Sequence, residues 1–310
     1  PSRCTSLAVA GTHGKPAPWM GDAVLRKFTG LRSLELRGSH LDSGPGPDAL
    51  RSLTALSWLR ALDIDVLSDA PTLTEIDDGP FRGLHELKSL HIRGAVNLTR
   101  IDAAAFRDLV DLEELSIHGS MDRSIGGKYL CRYFCTGKWA AKIKTAINQN
   151  RVSYKPAERS IGRTGSLKVI PANLFKACTQ LKVLNLVNMG VEELEEDALQ
   201  GLGNLEILNL EFNRLAGLPD GAFRGLTSLE RLSLTHNDLR MVRKSHTRDL
   251  RRLAWLQLDD NEITALDPGF LRTAPSLKEL HLAENRITEL PAGAFRDNTA
   301  LTSVNFMGNQ

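Results

Sequence analysis

Six copies of one leucine pattern, spaced 24 residues apart, fill the C-terminal half of this 310-residue chain. The copies begin at Leu181, Leu205, Leu229, Leu253, Leu277 and Leu301. The first reads LKVLNLVNMGV, and the later ones keep its apolar positions without an insertion or a deletion. A fixed period of this length indicates a structural unit that repeats along the chain. One unit cannot bury its apolar face alone, so neighbouring units must stack to form a continuous core.

Alternating leucines within each copy predict a short strand that ends in a turn. In LEILNLEFNRL, Leu208 and Leu210 face the core, and the residues around them face outward. Asn213 follows the strand, and its side-chain amide can bond the backbone groups that the turn leaves open. The same asparagine returns as Asn237, Asn261, Asn285 and Asn309. We expect these strands to form a parallel sheet, with segments such as AGLPDGAFRGLTS closing the core from the other side.

The pattern L-x-x-L-x-L-x-x-N-x-L at this period resembles that of leucine-rich-repeat proteins. The resemblance implies an α/β solenoid, a horseshoe with a parallel β-sheet on its concave face and an irregular or 3-10 convex side, of about ten repeats. The segments DGAFRGLTSLERLSLTHNDL and AGAFRDNTALTSVNF are similar to the extracellular class of these repeats. That class includes Toll-like receptor ectodomains, variable lymphocyte receptors, and Slit-type guidance and adhesion proteins.

The repeat pattern predicts four segments along the chain. They are an N-terminal cap at 1–30 with an edge strand in TSLAVAG, irregular repeats at 31–120, an insertion at 121–165 and regular repeats at 166–310. In the irregular segment, strands are expected after Leu31, Leu59, Leu87 and Leu112. The C-terminal cysteine cap typical of the class is missing, and Cys4 alone remains of an N-terminal cysteine cap.

The predicted insertion is strongly basic. It holds ten basic and two acidic residues, a net charge of +8 in a chain whose formal charge is +2. Loops longer than about 12–15 residues are usually functional or disordered. A second basic stretch, RMVRKSHTRDLRR, follows at 240–252. Together the two stretches give a candidate polyanion-binding surface at Lys138, Lys142, Lys144, Arg243, Lys244 and Arg248. The simpler interpretation is a solvated, charged face.

The outward residues of the concave strands give a second candidate surface. We predict an exposed apolar cluster, an exposed tryptophan and an acidic field there. The predicted ligand-binding residues are Val183, Val187, Ile207, Glu211, Phe212, Trp255, Asp259 and Asp260. Aromatic and aliphatic side chains surrounded by polar groups are typical of protein-binding hot spots. The alternative is that a parallel sheet tolerates β-branched residues on its surface without any ligand.

Cysteines and sequence motifs predict little covalent chemistry. Cys178 occupies a position that later repeats fill with leucine, so we expect a buried thiol. Cys131 and Cys135 form a candidate disulfide, with a link from either to Cys178 as the alternative. Asn97 begins the triplet N-L-T, a candidate N-glycosylation site on a turn. No metal-site spacing and no catalytic motif is present, so we expect no metal, no cofactor and no enzyme activity.

The irregular early repeats and the long insertion look most like a Toll-type ectodomain. This resemblance implies an extracellular module, secreted or at the cell surface, whose concave face binds a microbial molecule or a cytokine-like protein, in a homodimer or heterodimer. The alternative is an adhesion, matrix or guidance protein that binds a protein or a sulfated glycan. No apolar run approaches the roughly 20 residues that span a bilayer. The ends at Pro1 and Gln310 look like those of a fragment.

Overall fold

The computed structural model describes residues 3–10, 22–37, 48–65, 73–119, 165–267 and 269–310. Its strands are β1 (Ser6–Ala10), β2 (Ser33–Arg37), β3 (Ala61–Asp65), β4 (Glu75–Ile76), β5 (Ser89–Arg93), β6 (Arg100–Ile101), β7 (Glu114–His118), β8 (Val169–Ile170), β9 (Val183–Val187), β10 (Glu193–Leu194), β11 (Ile207–Asn209), β12 (Arg231–Ser233), β13 (Met241–Val242), β14 (Trp255–Gln257), β15 (Ala265–Leu266), β16 (Glu279–His281) and β17 (Ser303–Asn305). The helices are single turns: α1 (Asp22–Leu25), α2 (Asp48–Arg51) and α3 (Lys244–Thr247), with 3-10 turns at Ser52–Ala55 and Leu271–Thr273.

Eleven of these strands form one parallel sheet in the order of the chain, β1-β2-β3-β5-β7-β9-β11-β12-β14-β16-β17. The register advances by one repeat from strand to strand, so that Ile207 lies between Val183 and Arg231. The other six strands form three two-stranded sheets, β4 with β6, β8 with β10 and β13 with β15. The segment expected as an edge strand forms β1 and pairs with β2. The predicted solenoid with a parallel concave sheet is therefore confirmed.

The core is a continuous stack of leucines and phenylalanines. Leu205, Leu208 and Leu210 are completely buried, as are their equivalents in the neighbouring repeats. On the convex side the rings of Phe81, Phe106 and Phe175 stack in sequence, with centroids 6.0 Å apart in each pair. Each repeat therefore buries its apolar side chains against the neighbouring repeats rather than within itself.

The predicted role of the asparagines is confirmed in detail. Asn213 Nδ2 donates to the carbonyl oxygens of Leu186, at 2.8 Å, and Leu210, at 2.9 Å. Its Oδ1 accepts from the backbone N–H groups of Met189 and Val191, both at 3.1 Å. One amide thus satisfies backbone groups in two consecutive repeats. Bonds of the same kind are made by Asn237, Asn261, Asn285 and Asn309.

The residue just before the ladder position has a left-handed backbone in five consecutive repeats, of which the first has Met189 at the ladder position and the other four have asparagine. These residues are Asn188, Phe212, His236, Asp260 and Glu284, with φ between 53° and 58°. We name them the left-handed row. In all five the backbone N–H donates to the carbonyl oxygen of the residue two positions before the next repeat's ladder asparagine, as Phe212 does to Thr235 at 3.0 Å. Left-handed φ costs roughly 1–2 kcal/mol for a side chain such as Phe, so the surrounding repeats must impose it.

Glycines mark both ends of the predicted insertion. A Cβ atom at Gly119 would lie 1.9 Å from the carbonyl oxygen of Asn188, and one at Gly165 would lie 2.0 Å from the carbonyl carbon of Met189. The Gly119 N–H donates to the carbonyl of Val187 at 3.0 Å. Strand β7 pairs directly with β9 across this break in the sequence, with Glu114 opposite Val183. The chain therefore leaves and rejoins the solenoid at one place without interrupting the sheet.

The asparagine ladder should dominate the stability of the turns. Replacing Asn237 by Ala removes the acceptor of the Leu215 N–H and the donor to the carbonyls of Leu210 and Leu234, all of them buried. We expect the free energy of unfolding to fall by about 2–4 kcal/mol, because unpaired buried backbone groups cost about 1–3 kcal/mol each. Chemical denaturation measures the loss. Asn204→Ala is the control: Asn204 is exposed and makes one bond, to Thr179, and should lose under about 1 kcal/mol.

The close backbone approach at the insertion should tolerate no side chain. Gly165→Ala puts a methyl group into the backbone of Met189, so we expect a loss of at least about 2 kcal/mol in the free energy of unfolding. Gly217→Ala is the matched control, since a Cβ atom there has no neighbour within 4 Å and its φ is not left-handed. Denaturation curves that are equally displaced for the two variants would contradict the role given to Gly165.

Candidate binding surface

The outward side chains of the concave sheet differ sharply in their exposure along each strand. Side chains at the start of the strand are partly exposed in every repeat from β9 to β16. The next two outward positions on β9, β11, β12 and β14 are buried. From β9 to β14 the accessible part of the concave face is therefore a strip along the strand starts. It holds Val183, Ile207, Arg231 and Trp255, which are in register with one another and with Glu279 on β16.

Four of these side chains form a mixed apolar and aromatic surface. Val183 and Ile207 are adjacent aliphatic groups on β9 and β11. Arg231 follows on β12, with its Cζ 6.0 Å from the ring centroid of Trp255 on β14. The Trp255 ring in turn meets the ring of His281 edge to face, at 6.0 Å between centroids. We name Val183, Ile207, Arg231 and Trp255 the concave patch.

Arg231 is a member of this patch that the sequence analysis missed. Burial lowers its pKa, and the charges of Glu230 and Glu279 act in the opposite direction. The guanidinium therefore lies partly out of water, between two carboxylates and beside an indole ring, an arrangement favourable for a cation–π contact. The signal was available in the sequence, because Arg231 occupies the same repeat position as Val183, Ile207 and Trp255.

The predicted exposure of two apolar residues is wrong. Val187 is 1% exposed and Phe212 is 8% exposed. Val187 pairs with His118 on one side and lies beside the repeat of Glu211 on the other, so its neighbours cover it. Phe212 belongs to the left-handed row, and its ring stacks on the ring of His236 with centroids 4.3 Å apart. Both side chains are therefore covered by neighbouring residues and do not belong to an exposed cluster.

The predicted exposed acidic field is also wrong, because two of its members are buried. Glu211 is 6% exposed and Asp259 is completely buried. Glu211 Oε1 accepts a hydrogen bond from the Ser233 hydroxyl at 2.5 Å. Burial raises the pKa of Glu211 to about 7, against the opposing effect of its bonds to Ser233 and Asn209.

Asp259 and Asp260 make contacts within the protein as well. The Asp259 Oδ1 atom accepts from the Ala283 N–H at 2.8 Å, and burial raises its pKa to about 6 despite the nearby His281. Asp260 is half-buried in the left-handed row, with its carboxylate 3.7 Å from Nε2 of His236. These acids form a polar layer below the accessible strip, and they hold the turns of neighbouring repeats together.

The candidate polyanion-binding residues fall into two groups. Lys138, Lys142 and Lys144 lie outside the described residues, as do Cys131 and Cys135 of the candidate disulfide. Arg243, Lys244 and Arg248 lie on the convex side at and around α3, and all three are exposed. They lie in the half of the repeat that follows the ladder asparagine Asn237, whereas the concave strip lies in the half that precedes it. Polyanion binding stays a prediction.

Cys178 is a buried thiol, as expected from its leucine-equivalent position. It is unbonded and completely buried, and its Sγ lies 3.7 Å from the carbonyl oxygen of Phe106. Burial raises its pKa to about 12, so the thiol stays protonated. The alternative disulfide from Cys131 or Cys135 to Cys178 involves residues outside the described part of the chain and stays a prediction.

The candidate glycosylation site lies on a surface turn. Asn97 is half-buried there, and the hydroxyl of Thr99 in the same triplet donates to the carbonyl of Thr74 at 2.9 Å. Its modification stays a prediction. Within the described ranges no three His, Cys, Asp or Glu side chains are grouped to hold a metal ion, and no helix there is long and apolar enough to cross a bilayer.

The sequence profile described as Leucine rich repeat matches residues 66–121, 161–215, 179–239, 203–263 and 251–310. The chain belongs to the leucine-rich repeat family. These ranges cover more than half of the chain and lie on both sides of the insertion. No curated protein sequence matches this leucine-rich repeat chain.

Among solved structures, one similar to this leucine-rich repeat protein is a chain of the octameric complex of Latrophilin 3, Unc5D and FLRT2, whose FLRT2 part is given as LRR. The similarity has a TM-score of 0.67 and covers 100% of this chain and 76% of that chain, at 18% sequence identity. At this identity the likeness concerns the fold alone.

The buried carboxylate of Glu211 should make stability depend on pH. Its raised pKa means that the folded state binds the proton more tightly than the unfolded chain, whose value is near 4.5. The stability that this tighter proton binding gives to the folded state is complete below about pH 4.5 and is lost as the pH rises through about 7. We expect the free energy of unfolding to fall by up to about 3 kcal/mol across this window, with Asp259 adding to the fall.

Denaturation curves at about pH 5 and about pH 8 measure this dependence. Glu211→Gln keeps a hydrogen-bonding group for Ser233 and should flatten the fall. Glu206→Gln changes an exposed acid of the same repeat and should leave the fall as it is in the unmodified protein. An unchanged pH dependence in Glu211→Gln would exclude Glu211 as its source.

Proposed function

We propose that this leucine-rich repeat protein is an extracellular protein-binding module of the adhesion or guidance type, and that the concave patch contacts its partner. The observation that carries the proposal is the row Val183, Ile207, Arg231 and Trp255, the accessible apolar and aromatic row on an otherwise polar stretch of sheet. Tryptophan and arginine are enriched at binding hot spots, where tryptophan buries a large rigid ring and arginine combines an apolar stem with a planar, hydrogen-bonding guanidinium group.

The geometry of the patch supports binding to a protein. Its four side chains come from four consecutive parallel strands, so their spacing is fixed by the sheet rather than by a loop. Rigid presentation lowers the entropy cost of association. Glu211, Ser233 and Gln257 lie beside the patch and are joined by hydrogen bonds, with Ser233 Oγ 2.5 Å from Glu211 and 3.1 Å from Gln257. Such bonded side chains cannot move aside, and they keep the concave face in one shape.

Acidic residues lie beside part of the patch and define the partner's chemistry. Glu206 is exposed, and Glu230 and Glu279 are partly exposed, on either side of the row. Lys182 and Lys278 occupy the same repeat position as Glu206 in the outer repeats, so the rim of the concave patch is acidic only beside Ile207 and Arg231. A partner surface with an apolar contact residue flanked by Lys or Arg would complement it, because matched charges at a rim guide association.

The adhesion or guidance class is favoured over an innate-immune receptor by the structural likeness to the FLRT2-containing complex. That complex joins several proteins, which supports a protein as the partner here. The Toll-type alternative rests on the irregular early repeats and the basic insertion in the sequence. Binding of the chain to microbial cell-wall material and to no animal ectodomain would favour this alternative.

Truncating the aromatic residue of the patch should weaken partner binding strongly. We expect Trp255→Ala to weaken binding to a cell-surface ectodomain by about 30-fold or more, since hot-spot truncations cost at least about 2 kcal/mol. Arg231→Ala should act in the same direction. The measurement is surface plasmon resonance against an array of secreted and cell-surface ectodomains, with the unmodified chain defining the binding partner.

A matched control distinguishes the effect of losing a patch residue from the effect of losing any exposed apolar side chain. Met307 is 75% exposed on the outward side of the last repeat, so Met307→Ala removes exposed apolar surface without touching the patch. It should leave the affinity within about twofold. Equal affinities for Trp255→Ala and the unmodified chain would reject the concave patch as the binding surface, provided that both variants unfold at the same denaturant concentration.

A further inference from the structure

Acidic and basic side chains occupy the same repeat positions on the convex side, two repeats apart. Glu192 and Arg240 are equivalent, as are Glu195 and Arg243, and Glu196 and Lys244, each pair 48 residues apart. All six side chains are exposed. With their neighbours they form an acidic patch of Glu192, Glu193, Glu195 and Glu196, and a basic patch of Arg240, Arg243, Lys244 and Arg248. The two patches therefore lie side by side on one face, with a single repeat between them.

The repeat between the patches is flat. It carries Ala216 and Pro219 at two positions that hold charges on either side, Gly217 between Glu193 and Met241, and the exposed Asp220 between Glu196 and Lys244. Ala216 and Gly217 are exposed, and a Cβ atom at Gly217 would have no neighbour within 4 Å. Small side chains at this place let a second surface approach closely. The face therefore has an acidic part, a flat centre and a basic part in a row.

The charges of the two patches are only partly neutralised within the chain. Glu192 lies 3.8 Å from Arg214, Arg240 lies 3.4 Å from Glu262, and Arg243 lies 3.9 Å from Asp220. Between described residues, no ion pair engages Glu193, Glu196, Lys244 or Arg248. Each patch thus keeps charges that an opposing surface can pair.

A cleft at the edge of the basic patch holds a buried donor without an acceptor. The cleft, of about 220 Å³, is lined by residues that include Arg224, His246 and Arg248. His246 is 3% exposed, and its Nδ1 accepts from the Arg243 N–H at 3.1 Å, so a neutral ring carries its proton on Nε2. Nε2 has no hydrogen-bond partner and lies 4.0 Å from Asp220.

The cleft's own carboxylates are engaged elsewhere. Asp220 accepts from the Ser245 hydroxyl at 2.8 Å, and Asp249 accepts from the Gly225 N–H at 3.0 Å. The groups that face an entering side chain are the two guanidinium groups, whereas Nε2 of His246 is buried beside Asp220. An acidic side chain can pair with either guanidinium group.

We propose that this convex face binds the same face of a second copy of the chain, in an antiparallel dimer whose two-fold axis passes through the repeat of Ala216 and Gly217. Rotation about this axis places each acidic patch on the partner copy's basic patch, twice in the dimer. The face is thus self-complementary, as a two-fold interface requires. A glutamate of the acidic patch enters the cleft beside Arg224 and Arg248. The concave patch takes no part in this contact.

Because its pairs are exposed, the dimer is held by rim-type electrostatics and weakens with salt. The test is sedimentation velocity of the chain at about 50 mM and about 500 mM NaCl. We expect a dimer at low salt and at least a tenfold weaker association at high salt. Glu193→Lys with Glu196→Lys, or Arg243→Glu with Lys244→Glu, should each weaken the association at least tenfold, because like charges then face each other.

The decisive variant combines all four reversals. Each patch as a whole becomes neutral, but the new lysines of one copy face the new glutamates of the other, so the dimer should re-form to within about threefold of the unmodified chain. The control is Glu289→Lys with Arg296→Glu, which reverses charges at the repeat positions of Glu193 and Arg248 outside both patches. It should leave the dimer unchanged.

Three results overturn the proposal. They are a monomer at low salt, a dimer unaffected by either pair of reversals, and a fourfold variant that stays monomeric although it is folded. Retention of a monomeric chain on heparin, lost when Arg243 and Lys244 are reversed, would identify the basic patch as a polyanion surface instead. Ectodomain binding by the monomeric variants separates this outcome from the proposed function, because the concave patch is intact in all of them.

Discussion

A parallel strand that ends inside the protein leaves backbone groups without partners, and each repeat solves this problem with one buried amide. Asn213 bonds the carbonyls of Leu186 and Leu210 and the N–H groups of Met189 and Val191. Because the partners belong to two repeats, the amide fixes the turn and the stacking together. The parallel register follows from this, and with it the alignment of one side chain per repeat into rows. Both proposed surfaces are such rows.

The architecture could be predicted because leucine spacing and asparagine chemistry act within one repeat. The strands, their parallel order, the buried Cys178 and the ladder of amides were all readable from residue type and period. The early strands β2, β3, β5 and β7 were also predicted, although their turns lack the asparagine. Ala95 in one such turn is buried and donates its N–H to the carbonyl of His118 at 2.9 Å. Backbone bonding replaces the amide there, which sequence alone did not specify.

The exposure of individual concave residues could not be predicted, because it depends on neighbouring repeats. Alternation correctly indicates that Val187, Glu211 and Asp259 point away from the leucines. It does not indicate that adjacent strands cover the later positions of β9, β11, β12 and β14 and leave only their starts accessible. Phe212 is a different case, since its position depends on a left-handed backbone that residue type disfavours. The binding row was therefore half predicted: Val183, Ile207 and Trp255 lie in it, and Arg231 was missed.

Strand β7 pairs directly with β9, so the geometry of the sheet does not depend on the length of the segment predicted as an insertion. The sheet requires only that the chain leave at Gly119 and return at Gly165, where the backbone of Val187–Gly190 receives both ends. The pairing of β7 with β9 does not itself fix how many residues lie between these two points. This junction is therefore a natural place for sequence to diverge between relatives, and a suitable point for grafting a foreign peptide or a fluorescent domain onto the protein.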